Sequence, residues 1–478
     1  MRSLIFRLFA PVLVVSLAAQ VPEVKERRLN NGFQVLLVER PGTGALHARL
    51  MIRAGRADTG ALPSAAAEIL ARTLFRRILP TEVVAGDDLT RLLKQEEGAH
   101  EALRLERSRR LRLDLPESSS EELSLGQLHR ARMGELRAKV ASSSPSDMLE
   151  NLGITKREMG AEADEMSLAM DLPLASFEPW CRLEQQHFQQ LVLARYSIER
   201  DIWIEELAKE GQGEKAALSI LLGTAFSGHP YAQVFEPGSG RMEGLNWSEF
   251  RAYARRILSP ERMTLVLVGD LQMEKALRPI QETFGALAPV PEAMGLRQET
   301  YWDLSGGPGY RRLQANTTGD PRLLMAWRIP PTNHSDGNAL AVLARILGGS
   351  KSSRLVRRLE EERGLAGKLS VKVGMPGGRD PSLFLIDAAP AEGHSLAELE
   401  EALRGEVLRI QNERFPEEDI HRALRQMEAD QLMMQEDAGT LAKALGNAIA
   451  QSGDWRQAFR AKDSGRSITA DSIQAVAK

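Results

Sequence analysis

Two stretches of the chain repeat one pattern of apolar and polar positions. His47 to Arg53 (HARLMIR) and Arg322 to Arg328 (RLLMAWR) are short runs of β-like character. Each is followed by a turn region and then by an apolar helical pattern, Ala66 to Leu74 (AAEILARTL) in the first case and Ala339 to Leu347 (ALAVLARIL) in the second. A strand, a helix and then later strands, met twice, predict a duplicated α+β unit rather than one continuous sheet. Met263 to Val268 (MTLVLV) is an unbroken apolar run before Gly269-Asp270. Its length and β-branching predict a buried strand that closes the first unit. Pro289, Pro291, Gly306, Gly307, Pro308 and Gly309 crowd the segment that follows, which suits a linker. The divisions are therefore residues 27–284 for a first lobe, 285–309 for a linker and 310–478 for a second lobe.

Residues 80–145 break the pattern of the first lobe. Asp88 to Asp114 and Ser118 to Ala141 read as charged helices on either side of Pro116, and Ser118-Ser119-Ser120-Glu121-Glu122 offers a capping box for the second. A helical hairpin inserted into the lobe accounts for this, with no chemistry assigned to it. In the second lobe, Ile468 to Val476 resembles the helix around Asn246 to Ile257. The first lobe continues from that helix into Met263 to Val268, whereas the second reaches Lys478, so its closing strand is expected to be missing.

Composition narrows the function classes. With 43% hydrophobic and 27% charged residues the chain has the make-up of a globular protein. A net charge of -3 lacks the basic excess of a nucleic-acid binder, and 5% aromatics is too few for a base-stacking platform. Cys181 is the sole cysteine, which excludes an intrachain disulfide and a cysteine-rich zinc site. Arg2 and Arg7, the apolar run Leu8 to Leu17 and the small residues Ser16 and Ala18 form a signal-peptide pattern over residues 1–19. That run is too short to span a bilayer, which takes about 20 residues. Export to a periplasmic or extracellular location is expected, with no membrane span once the signal is removed.

Several segments, in order, resemble the insulinase/pitrilysin family of zinc peptidases, the M16 peptidases. They are Leu29-Asn30-Asn31-Gly32-Phe33, Gly228-His229-Pro230-Tyr231, Val268-Gly269-Asp270, Leu347-Gly348-Gly349-Ser350 through Ser353-Arg354-Leu355, and Arg363-Gly364-Leu365-Ala366. Each is weak alone; their order and spacing make the match. The resemblance implies two similar α+β lobes, one α/β sandwich domain duplicated, forming half of a clamshell. It also implies a zinc site of the form H-x-x-E-H on a first-lobe helix, where two imidazoles one turn apart bind the metal and the glutamate activates water.

The place for that motif holds other residues. Glu68 stands for the first histidine, Ala71 for the catalytic glutamate and Arg72 for the second histidine. Arg72 brings positive charge where a nitrogen donor is needed, and Ala71 cannot take a proton. By the same resemblance Glu206 occupies the third zinc-ligand position and Glu199 that of a supporting acid. Without imidazoles these acids read as a salt-bridged helix face, and Arg72 is placed to pair with Glu206. The second-lobe Arg and Tyr that help hold the substrate carbonyl are replaced by Glu360 and Gly367. The eight histidines are scattered, no two within a helical turn, and read as surface or packing residues. Gly349-Ser350-Lys351-Ser352 lacks the glycines of a phosphate loop, and Pro237-Gly238-Ser239-Gly240 lacks the first glycine of a nucleophile elbow.

The expectation is a non-catalytic M16-type homologue with no cofactor, in place of the zinc of active relatives. It would complete a peptide-enclosing chamber with an active relative as partner and contact unfolded peptides, with no nucleic acid involved. Two alternatives stay open: an active metallopeptidase with a rearranged metal site, and a stand-alone peptide-binding or chaperone-like protein.

Overall fold

The structure is a computed structural model that describes residues 21–75, 87–115, 118–141, 146–190, 195–209, 213–235, 242, 244–290, 309–317, 319–459 and 468–478. The signal-peptide pattern, most of the linker segment and the Pro237 to Gly240 turn lie outside the described residues.

The first lobe is built on a six-stranded sheet in the order β1-β2-β6-β3-β5-β4. Its strands are β1 (Lys25–Arg28), β2 (Gln34–Glu39), β3 (Ala45–Ile52), β4 (Arg157–Ala161), β5 (Met166–Pro173) and β6 (Met263–Gly269). β2 and β6 pair in parallel and the other neighbours are antiparallel. The helices of this lobe are α1 (Ala65–Phe75), α2 (Asp87–Arg112), α3 (Ser120–Ala141), α4 (Ser146–Asn151), α5 (Phe177–Gln190), α6 (Tyr196–Lys209), α7 (Gly213–Ala225), α8 (Trp247–Ile257) and α9 (Met273–Thr283). The second lobe has a three-stranded antiparallel sheet, β7-β9-β8, of β7 (Leu323–Ile329), β8 (Ala366–Met375) and β9 (Ser382–Pro390). Its helices are α10 (Gly337–Gly348), α11 (Leu396–Asn412), α12 (Glu417–Glu436), α13 (Ala438–Ser452) and α14 (Ala470–Ala477). No helix among the described residues is long and apolar enough to cross a membrane.

The unbroken apolar character of β6 follows from burial of both its faces. Leu265 and Leu267 point with Val35 and Leu37 into a core shared with α1, α5, α8 and α9. Val266 and Val268 point the other way with Leu36, Val38 and Met51, and meet Leu441, Leu445 and Ile449 of α13. The second lobe thus sends a helix across the outer face of the first lobe's sheet, so the two lobes share a core.

The segments that resembled the peptidase family act in closing this fold. Asn31 Nδ2 donates to the carbonyls of Phe284 (2.7 Å) and Leu287 (3.0 Å), tying the first turn to the end of α9. At Gly269 φ is +153°, and a Cβ there would lie 2.3 Å from the Ala45 carbonyl oxygen. Only glycine lets β6 end so close to β3. The next residue, Asp270, then accepts from the backbone N–H groups of Gly42 (3.0 Å) and Gly44 (3.1 Å).

The charged hairpin of the first lobe is α2 and α3. Ser119 Oγ, within the capping segment read from the sequence, accepts from the Glu122 N–H at 3.0 Å. The hairpin's apolar core is small: Leu89, Met133, Leu136 and Val140, with Ile198 of α6.

Candidate functional site

Helix α1 packs against α6 and the edge strand β4, burying Ala67, Ile69, Leu70, Ala71 and Leu74. Glu68 and Arg72, one turn apart on α1, share a face. Arg72 Nε donates to Glu68 Oε1 at 3.2 Å, and its Nη1 lies 2.9 Å from Glu206 Oε2 of α6 as a charge contact. Its guanidinium also stacks over the Trp203 ring, 4.7 Å from the centroid. Glu68 is further held by Arg56 Nη2 and by the Ala161 N–H of β4, both 3.1 Å from its Oε2. Glu68, Arg72 and Glu206 therefore come together, with a cation in their midst. Ala71 is fully buried beside them. Glu199 lies buried nearly two turns before Glu206 and pairs with Arg195 at 3.4 Å.

This constellation does not fit zinc. It offers two carboxylates already engaged by guanidinium groups and no imidazole, whereas zinc sites draw on nitrogen or sulfur donors. Ala71, which the family resemblance sets at the base position, carries a methyl group that cannot take a proton. Glu360 lies half-buried in the helical segment Arg357–Glu362 of the second lobe, and Gly367 is exposed near the start of β8.

A second polar cluster joins the lobes. Asp164, between β4 and β5, accepts from Tyr231 Oη (2.9 Å to each oxygen), the Gly378 N–H (2.8 Å) and the Arg379 N–H (3.1 Å). Arg379 Nη2 reaches Asp58 at 2.6 Å, and His229 Nε2 lies 3.5 Å from Asp380. The Gly-His-Pro-Tyr segment is thus a lobe clasp: His229 Nδ1 caps its own turn by accepting from the Tyr231 N–H at 3.1 Å.

Between the outer face of the first sheet and α13 lies a polar cleft of about 320 Å³ lined by Arg49, Glu158, Glu165, Lys443 and Asn447 among others. Arg49 Nη2 donates to Ser167 Oγ (2.7 Å) and lies 3.4 Å from Glu165. Burial pushes the Glu165 carboxyl up to about 7 against the pull of Arg49.

One constellation had only a partial signal in sequence spacing. The histidines, scattered along the chain, read as packing residues, yet the fold sets His129 of α3 beside Glu96 and His100 of α2. The one local hint was Glu96 and His100 at i and i+4, which shares a helix face.

The two-sheet framework defines a two-lobed α+β protein with an ion-pair cluster on the α1 face where the family resemblance places the metal. Residues 245–427 match the family described as the peptidase M16 inactive domain. A solved protease from Helicobacter pylori superposes with a TM-score of 0.69 at 14% identity, covering 96% of each chain. The peptidase M16 inactive domain from Pseudomonas fluorescens gives a TM-score of 0.65 at 16% identity, covering 95% of this chain and 93% of that one. In sequence, the chain is 28% identical over 173 residues to an uncharacterized zinc protease of Mycobacterium leprae. That match spans 35% of this chain and 38% of the relative. It is 24% identical over 289 residues to one of Streptomyces coelicolor, spanning 59% of this chain and 61% of the relative. Part of the chain thus resembles the peptidase M16 inactive domain, and its fold is that of M16-like peptidases.

Proposed function

We propose that this protein is a non-catalytic M16-type subunit that walls a peptide-enclosing chamber together with an active relative. The observation that carries the reading is Arg72, whose guanidinium fills the space between Glu68 and Glu206 where the family resemblance places the metal. A face locked by ion pairs cannot activate water, while the sheets around it keep their shape. Extended peptides are held through strand edges and side-chain pockets, which need no metal. Two edges support a binding or assembly role. β4 pairs only with β5, and β7 pairs only with β9 among the described residues, so each has a side without a strand partner, although Glu68 and Arg56 already bond the Ala161 backbone at the end of β4. Such edges tend to be covered by another chain.

Co-expression with each zinc-bearing relative from the same cell, followed by native mass spectrometry and peptidase assay, tests the proposal. A stoichiometric complex whose peptide cleavage requires this chain is the expected result. A folded chain that stays monomeric beside every such relative, and leaves their activity unchanged, refutes it.

A further inference from the structure

We propose that Glu96, His100 and His129 form a divalent-metal site, suited to zinc, that staples the α2–α3 hairpin where it rests on α6. Each of the three side chains offers one ligand atom, and these atoms all lie within 4.8 Å of one another. Glu96 and His100 come from one face of α2, and α3 lays His129 across them, the two imidazole rings 5.4 Å apart between centroids. Two imidazoles and a carboxylate are a donor set zinc takes up readily, leaving a fourth position for water. Nitrogen donors favour zinc and its late first-row neighbours over magnesium or calcium.

The surroundings match what such a site needs. Glu96 is fully buried, and its Oε2 makes no well-formed hydrogen bond, with the Ser197 hydroxyl the side chain that also acts on this carboxylate. Its other oxygen is held by Arg200 Nη2 at 2.9 Å and His129 Nε2 at 3.1 Å. Arg200 would act as an outer partner that orients the ligand carboxylate. The Arg200 charge is itself met by Asp201 at 3.6 Å, so the pocket is not left with a net cation facing the metal.

The hairpin also has reason to be stapled. Helices of 26 and 22 residues share only a handful of buried apolar side chains. A metal cross-link supplies what a small core lacks. The site lies on the hairpin, apart from the Glu68–Arg72–Glu206 cluster, and its metal takes no part in peptidase chemistry.

The test uses the full chain, stripped with chelator, reloaded with zinc and dialysed. Metal analysis should give one zinc per chain. Cobalt(II) in its place should show visible absorption bands of low-symmetry nitrogen and oxygen ligation. His129→Ala and the milder His129→Gln should each lose the metal, while Glu206→Ala keeps it. Chelator should lower the melting temperature of the parent and leave that of the His129 variants unmoved. Failure of the folded parent to retain zinc overturns the proposal whatever the variants do. So does retention by a folded His129 variant, or loss on Glu206→Ala, which would put the metal at the peptidase position.

Discussion

Replacing Asp164 by alanine removes one acceptor from three donors at once. Tyr231 Oη, the Gly378 N–H and the Arg379 N–H all point at its carboxylate, which is 4% exposed. A buried donor left without a partner costs about 1–3 kcal/mol. Three such donors, partly relieved by water entering the space of the lost side chain, put the loss at roughly 3–5 kcal/mol. Tyr231→Phe takes away one donor to the carboxylate, which keeps its two backbone partners, and the acceptor of the Asp380 N–H, so it should cost about 1–2 kcal/mol. The double variant should fall well short of the sum, because both changes remove the same bond. A chain with two lobes need not unfold in one step, so two readouts are needed. Thermal melting should drop by roughly 10 °C in Asp164→Ala, at the few degrees per kcal/mol typical of lobes this size. Amide exchange at Gly378 and Arg379 should quicken, while exchange in β6 holds. A melt within a degree of the parent, or exchange unchanged at those two amides, would show that Asp164 does not clasp the lobes.

Two further outcomes follow from the charged clusters. Glu165 sits near 7 in the fold against an ordinary 4.5, so between those values the native state binds more protons than the unfolded chain. Its contribution is present below about pH 4.5 and lost as pH rises through 7, on the order of 3 kcal/mol. Glu165→Gln should flatten that part of a urea-denaturation profile, and an unchanged slope would refute the assignment. The triple variant Glu68→His, Ala71→Glu, Arg72→His, made with His129→Ala to silence the hairpin, should bind zinc through the new imidazoles and Glu206. It should also lose stability by about 1–3 kcal/mol, since the Ala161 N–H and Arg56 lose Glu68. A folded variant with no zinc affinity by calorimetry would mean that Glu206 does not reach the α1 face.

How much of this could be read beforehand depended on sequence distance. The strand-and-helix pairs around His47 and Arg322 appear as β3–α1 and β7–α10, because a local apolar period survives any tertiary context. The continuous run at Met263 implied cover on both faces, but nothing local said that α13, some 170 residues later, supplies it. The same limit hid the Asp164 clasp, whose partners come from three segments far apart in sequence. It hid His129, which faces Glu96 only once the hairpin closes. The meeting of Arg72 with Glu206 was legible because a family likeness placed both residues, not because their spacing did.

The peptidase-like segments and the residues at the zinc position answer to different constraints in this fold. Asn31, Gly269, Asp270, His229 and Tyr231 each hold a backbone junction or a lobe contact. Losing any of them opens the structure whether or not the protein cuts peptides. Residues at H-x-x-E-H positions that carry zinc ligands direct one donor each at the metal. Here they have been drawn into the fold. Glu68, 9% exposed, bridges Arg56, Arg72 and the β4 backbone, so it has become a bond between α1 and the sheet's edge. A single return substitution at that position therefore breaks three contacts before it gains a ligand. Arg72 adds a second barrier, because a metal ion approaching Glu206 meets a guanidinium already paired to it. Metal binding at this face therefore needs Glu68 and Arg72 changed together, and each single change should register as lost stability without zinc affinity.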